Sequence, residues 1–204
     1  MGTLSDLIPQ VRERVYNCPD VIIEEALRWS SRDFCRETHV WTTTGTITLT
    51  SGTNIIEYTP PADTNVVAWR MLFREGTGEA ITVLPSQEWS EVRSDAFPKF
   101  AHIDLTTLTF DATPGEDVSY RHEVALMNTM SSNTVSDTVV NLYGDDVAAG
   151  ARFKLLSQAD RPWMDSGSAQ VCWNEYQGGI RRAKALKIRT NSNTRKRVFQ
   201  NRFI

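Results

Sequence analysis

The chain has 204 residues, 40% hydrophobic, 23% charged and 9% aromatic, with a net charge of −3. Its 11 glycines and 8 prolines exclude collagen-like, mucin-like and wholly disordered chains, and a chain of this length buries about 70% of its unfolded surface on folding. No apolar run approaches the roughly 20 residues of a membrane span, and Met1 to Pro9 lacks the basic start and apolar core of a signal peptide, so the sequence predicts neither a span nor export.

The first forty residues read as two short helices. Leu4, Leu7, Ile8, Val11 and Val15 recur at intervals of three and four, with Pro9 tolerated only in the first turn. Pro19 opens a second helix, with a stripe of Ile22, Ile23, Ala26, Leu27, Ser30 and Phe34 and with Trp29 at its edge. From Thr42 to Ala125 the period changes to two. Fifteen of the 22 threonines lie there, and the branched threonine side chain suits a pleated, half-buried surface. Strands are predicted over 45–50, 54–59, 66–73, 79–83, 100–105, 107–110 and 117–124, with turns at Ser51-Gly52, Pro60-Pro61, Gly76-Thr77-Gly78 and Thr113-Pro114-Gly115. Ser86-Gln87-Glu88-Trp89 has the pattern of a capped helix start.

A polar connection leads back to helical periodicity. Leu142, Val147, Ala151, Leu155 and Leu156 are predicted to share a face, and Ala148, Ala149 and Gly150 offer a small-residue surface for close helix contact. Pro162 ends that helix, Trp163 follows, and Asp165 or Ser166 caps the last one, which carries Val171, Cys172, Tyr176, Ile180, Ala183, Ala185 and Ile188. The expected architecture is α+β: a four-helix bundle of two N-terminal and two C-terminal helices, with an inserted small antiparallel β-sandwich or barrel and an extended C-terminal arm. The expected divisions are 1–41 and 136–189 for the bundle, 42–125 for the β-domain, 126–135 for a connection and 190–204 for the arm. Leu7, Val11, Ile23, Leu27, Phe34, Leu155, Trp163 and Ile180 are the expected packing residues of the bundle.

Net charge conceals an asymmetry. Residues 181–204 contain nine basic groups and no acid, so they carry +9 and residues 1–180 carry −12. Such a split points to a tail that meets an acidic partner. Its end, Arg195 to Ile204, mixes cations with Val198, Phe199, Phe203 and Ile204, which suits a protein groove; the acidic body would repel a phosphate backbone.

Little chemistry converges. Cys18, Cys35 and Cys172 form no C-x-x-C pair and read as buried reduced thiols of a cytosolically made protein. His39, His102 and His122 lack zinc-ligand spacing, and His102 with Asp104 reads as a surface pair. The doublets Glu24-Glu25 and Asp145-Asp146 read as acids near helix starts. Gly76-Thr77-Gly78 is a hairpin turn without the Lys of a phosphate cradle. Trp69 and Trp89 offer an aromatic surface or core. No catalytic residue, metal site or cofactor is predicted.

Two blocks of sequence carry a resemblance. Thr3 to Arg12, Cys18-Pro19-Asp20, Ala26-Leu27 and Asp33 to Thr38 resemble the opening of head-to-tail adaptor (connector) proteins of tailed bacteriophages. Ala148 to Ala151, Lys154-Leu155-Leu156, Arg161-Pro162-Trp163 and Gly179 to Ala183 are similar to the two C-terminal helices of the same proteins. The 84 residues of the strand-rich segment favour the tail tubular protein A type of short-tailed phages. The resemblance implies a structural virion protein without enzymatic activity, made in the host cytoplasm and residing at the head–tail interface. It implies a twelve-subunit ring between the portal protein and the tail nozzle, around a channel through which genomic DNA passes without specific binding. By the same resemblance the arm docks on the portal through Arg195, Lys196, Arg197, Phe199, Arg202 and Phe203. The alternative expectation is a carbohydrate- or receptor-binding tail component acting through the β-domain.

Overall fold

The computed structural model describes residues 1–84, 92–94 and 96–191. Within them the chain forms a helical core with a strand-rich unit built onto it. After a short strand, β1 (Gly2–Thr3), comes a 3-10 turn over Leu4–Leu7 that runs into α1 (Ile8–Arg12). The long helices are α2 (Asp20–Thr38), α3 (Asp137–Leu156) and α4 (Ser166–Asn191). Ile23, Ala26, Leu27, Ser30 and Phe34 of α2 are buried, as the spacing predicts. His39 terminates this helix in the left-handed conformation, φ 53°, its N–H donating to Cys35 O at 2.8 Å. Asp165 starts α4 by accepting from the N–H groups of Gly167 (3.0 Å) and Ser168 (3.1 Å) and from the Ser168 hydroxyl (2.7 Å).

There is no four-helix bundle. The first periodic segment splits into the 3-10 turn and a five-residue helix, because Pro9 sits at its first positions and the chain turns away at Asn17, φ 59°. A single helical turn and a half cannot cover the apolar faces of three long helices. Strands close that side instead: Trp41, Val66, Val124 and Leu126 lie in the same buried cluster as Leu4, Val11, Leu27, Phe34, Val147, Leu155, Tyr176 and Ile180. The mixed α+β composition stands; the bundle does not. Leu142 also departs from its expected face and is 69% exposed, since α3 begins at Asp137 and turns Val139, Val147 and Ala151 inward.

The remaining strands are β2 (Thr42–Leu49), β3 (Ile55–Glu57), β4 (Thr64–Arg74), β5 (Thr82–Leu84), β6 (Arg93–Ser94), β7 (Phe100–Asp104), β8 (Thr107–Phe110), β9 (Ala112–Thr113), β10 (Val118–Asn128) and β11 (Thr134–Val135). One sheet has the order β2-β10-β4 and is antiparallel; a second has the order β3-β8-β7-β5. Two pairs are parallel, β5 with β7 and β6 with β9, so the strand-rich unit is not purely antiparallel either. Leu49, Leu72, Ile81, Ala101, Leu108, Phe110, Val118 and Tyr120 form a second buried cluster. Half-buried Tyr58 and Trp69 pack against both clusters. The helix expected from Ser86 lies outside the described residues.

Local turn chemistry follows the sequence. Gly76 and Gly78 have φ of 87° and 69°, and Arg74 N–H donates to Glu79 O (2.8 Å), closing the predicted hairpin. The polar connection is less of a free loop than its composition suggests. Thr134 and Val135 pair with Thr3 and Gly2, Asn133 bridges Arg28 (2.9 Å) and Glu24 (3.3 Å), and Ser31 donates to Asn128 Oδ1 at 2.9 Å. Buried polar groups are satisfied by partners distant in sequence, which holds this segment on α2.

Candidate functional site

The base of the cationic segment lies on α4, and its geometry begins at two glycines. Gly150 of α3 meets Ser30 of α2 and Tyr176 of α4: a Cβ at Gly150 would collide with the Ser30 hydroxyl and lie 2.8 Å from Tyr176 ring carbons. Ser30 Oγ donates to Val147 O (2.7 Å), and the Tyr176 hydroxyl donates to Asp33 Oδ2 (2.8 Å). Burial, reinforced by Asp33, pushes the Tyr176 phenol far up, so it stays a neutral donor. One turn further along α4, a Cβ at Gly179 would overlap the Asp146 carboxylate. Small residues thus let three helices approach to backbone distance.

Cations of the tail start where these contacts end. Arg182 pairs with Asp146 (2.7 Å) and Lys184 with Glu37 (2.9 Å). Burial raises the Asp146 carboxyl, with Arg182 opposing it. The Lys184 hydrogen bond holds the Glu37 carboxyl below its ordinary value. Asp146 therefore acts as a partner for Arg182 at mid-helix, not as an acid at a helix start, because α3 begins ten residues earlier at its Ser136 cap. Glu24 likewise serves as an acceptor, for Ser5 Oγ (3.2 Å) and Asn133. Past Ala183, which is buried, Lys184, Ala185 and Leu186 are exposed. Arg195, Lys196, Arg197, Phe199, Arg202 and Phe203 lie outside the described residues.

In the first half of α4, next to Tyr176, a second ionic group fastens the helices. Arg152, largely buried on α3, faces Glu175 (3.6 Å) and Glu13 (4.0 Å) and donates to Gln10 O at 3.4 Å; Arg14 also pairs with Glu175 (3.3 Å). This network joins α1, α3 and α4, and no periodicity in the sequence pointed to it, because Arg152 occupies a position inside an apolar face. Leu7, Val11, Ile23, Leu27, Phe34, Leu155, Trp163 and Ile180 are all buried in the helical core.

The titratable candidates are dispersed. His122 is buried between Tyr58 and Trp69, with ring centroids 5.1 and 5.5 Å away, and lies over Gly45. Burial lowers its pKa, and its Nδ1 has no hydrogen-bond partner. His102 and Asp104 share a face of β7, and His39 caps α2. All three cysteines are reduced and buried, and burial pushes the Cys35 thiol up to about 12. Trp69 spends its indole N–H on Leu105 O (2.7 Å), and Trp89 lies outside the described residues. Among the described residues no three His, Cys, Asp or Glu converge on a common point.

What the fold presents is a locked helical core, a strand-rich unit fused to it and a last helix on which the cationic segment begins. The SU10 adaptor protein family model matches residues 2–198, and the chain belongs to that family. It is a bacteriophage head-to-tail adaptor, a structural component of the virion. No curated protein matches the chain closely enough to be called a relative. No helix among the described residues is long and apolar enough to cross a membrane.

Proposed function

We propose that the chain assembles as a twelve-subunit ring between the portal protein and the tail nozzle, and that residues 190–204 dock on the portal. The observation that carries this reading is the course of α4. Its 26 residues run about 39 Å, with Cys172, Tyr176, Ile180 and Ala183 buried along the first two-thirds, and the cationic segment begins on this same helix at Arg181. The thirteen residues beyond Asn191 can span at most about 45 Å, enough to cross onto a neighbouring protein. Arg195, Lys196, Arg197 and Arg202 would set register on an acidic portal surface while Phe199 and Phe203 fill pockets. An acidic body repels the DNA backbone, which suits a channel that DNA slides through without specific binding.

The test is deletion of Arg195–Ile204. Portal rings should no longer capture the truncated chain, whereas its helical circular dichroism and melting temperature stay near those of the full chain. Retained capture would remove the arm from the mechanism.

A further inference from the structure

Where α3 and α4 meet the strand-rich unit, a groove of about 400 Å³ opens between the two helices, β4 and β10. Tyr143 and Ala183 give it apolar surface, and Leu142 (69% exposed) and Leu186 (51% exposed) line it from different helices. A single exposed leucine is ordinary; two that line one groove make a docking surface for an apolar partner. The surrounding charges are uneven. Arg70 pairs with Glu123 (2.8 Å), as Arg182 does with Asp146 and Lys184 with Glu37. Exposed Asp145, one turn along α3 from Leu142, pairs with no cation among the described residues. The groove therefore suits a segment that is both apolar and basic.

One such segment starts beside it. Leu186 lies five residues, about 7.5 Å, before the end of α4 at Asn191. Ser192, Asn193 and Thr194 follow, residue types that favour turns, and then Arg195, Lys196, Arg197, Val198 and Phe199. The eight residues from Asn191 to Phe199 span up to about 28 Å, ample to double back to Leu142 and Leu186. The cleft around Trp163 and Ser168, at the start of α4, lies about 34 Å from Asn191 along the helix and is beyond that reach.

We infer that this groove is the resting seat of the chain's own arm, with Phe199 packed on Leu142 and Leu186 and the basic run ahead of it facing Asp145. A short tether holds the arm at an effective concentration on the order of 1 mM, so a contact with a dissociation constant of about 0.1 mM is closed roughly nine-tenths of the time. The consequence for assembly rests on the portal-docking reading proposed above. The same side chains cannot fill the groove and the portal at once, so the seat lowers the apparent affinity for the portal about tenfold and keeps the aromatic end of the arm covered until a portal displaces it.

The experiment uses the full chain, whose three native cysteines are buried. In dilute protein carrying Leu142→Cys and Phe199→Cys, oxidised glutathione should close a disulfide within the chain, read by peptide mass spectrometry, at a yield at least about fivefold above that of Met164→Cys with Phe199→Cys. Equal yields would overturn the seat, and so would cross-linking that grows with protein concentration and joins two chains. Leu142→Gln, at an exposed position, should keep a melting temperature near that of the original chain and tighten capture by portal rings about tenfold. Unchanged capture would overturn the competition. A disulfide that forms in a chain no portal captures would overturn the portal-docking reading and leave the seat standing.

Discussion

Gly150 on α3 leaves no room for a methyl group beside Ser30 on α2, and the same missing Cβ seats the ring of Tyr176 from α4. Substitution Gly150→Ala must push three helices apart or displace a buried hydroxyl and a phenol. We expect a loss of about 1–3 kcal/mol, read as a lower melting temperature. Gly144→Ala is the control within the same helix. Its Cβ would meet only a terminal methyl of Leu7, at 3.0 Å, and alanine favours the helix by about 1 kcal/mol, so this variant should be near neutral.

Tyr176→Phe keeps the ring against Phe34 and Trp173 and removes the hydroxyl that donates to Asp33. A hydrogen bond to a charged acceptor is worth about 1.5–3 kcal/mol, and the loss should appear in urea denaturation as a lower midpoint with an unchanged slope. An unchanged midpoint would show that Asp33, which also pairs with Arg36, needs no second partner.

Arg152→Met should cost about 1–2 kcal/mol. The guanidinium is nearly buried, but Glu13 and Glu175 are partly solvated, and Glu175 retains Arg14, so the penalty falls short of that for a fully buried pair. A double-mutant cycle with Glu175→Gln should give a coupling of about 0.5 kcal/mol or more; zero coupling would reduce the network to packing.

The lowered pKa of His122 has a definite sign. Its folded value lies below its unfolded value, so the unfolded chain binds the proton more tightly between the two. Stability from the neutral ring is complete above about pH 6.5 and declines as pH falls through that value toward the folded pKa. His122→Phe, which keeps an aromatic ring beside Tyr58 and Trp69, should flatten the dependence of melting temperature on pH between about 7 and 5. An equal slope in the variant would place the pH dependence elsewhere.

Periodicity by itself determined which local elements form and which side of most of them is apolar. The α2 stripe, β8 at Thr107–Phe110, the Gly76–Gly78 turn, the Asp165 cap and the small surface around Gly150 were all legible, because each depends on residues within a turn or two of each other. The charge reversal at Arg181 was legible too, as a property of composition. What closes the helical core was not. Val124 read as the end of a strand and Leu126 as the start of the connection, and only the tertiary structure brings them under α2 in place of a fourth helix. The parallel pairing of β5 with β7, the clasp of Gly2–Thr3 on Thr134–Val135, the Arg152 network and the groove beside Leu142 are likewise decided by partners far apart in the chain. Local patterns fix which face of an element avoids water. Which distant surface covers that face is settled by the free energy of the whole packed chain, where a bulged strand and a shortened helix can exchange roles.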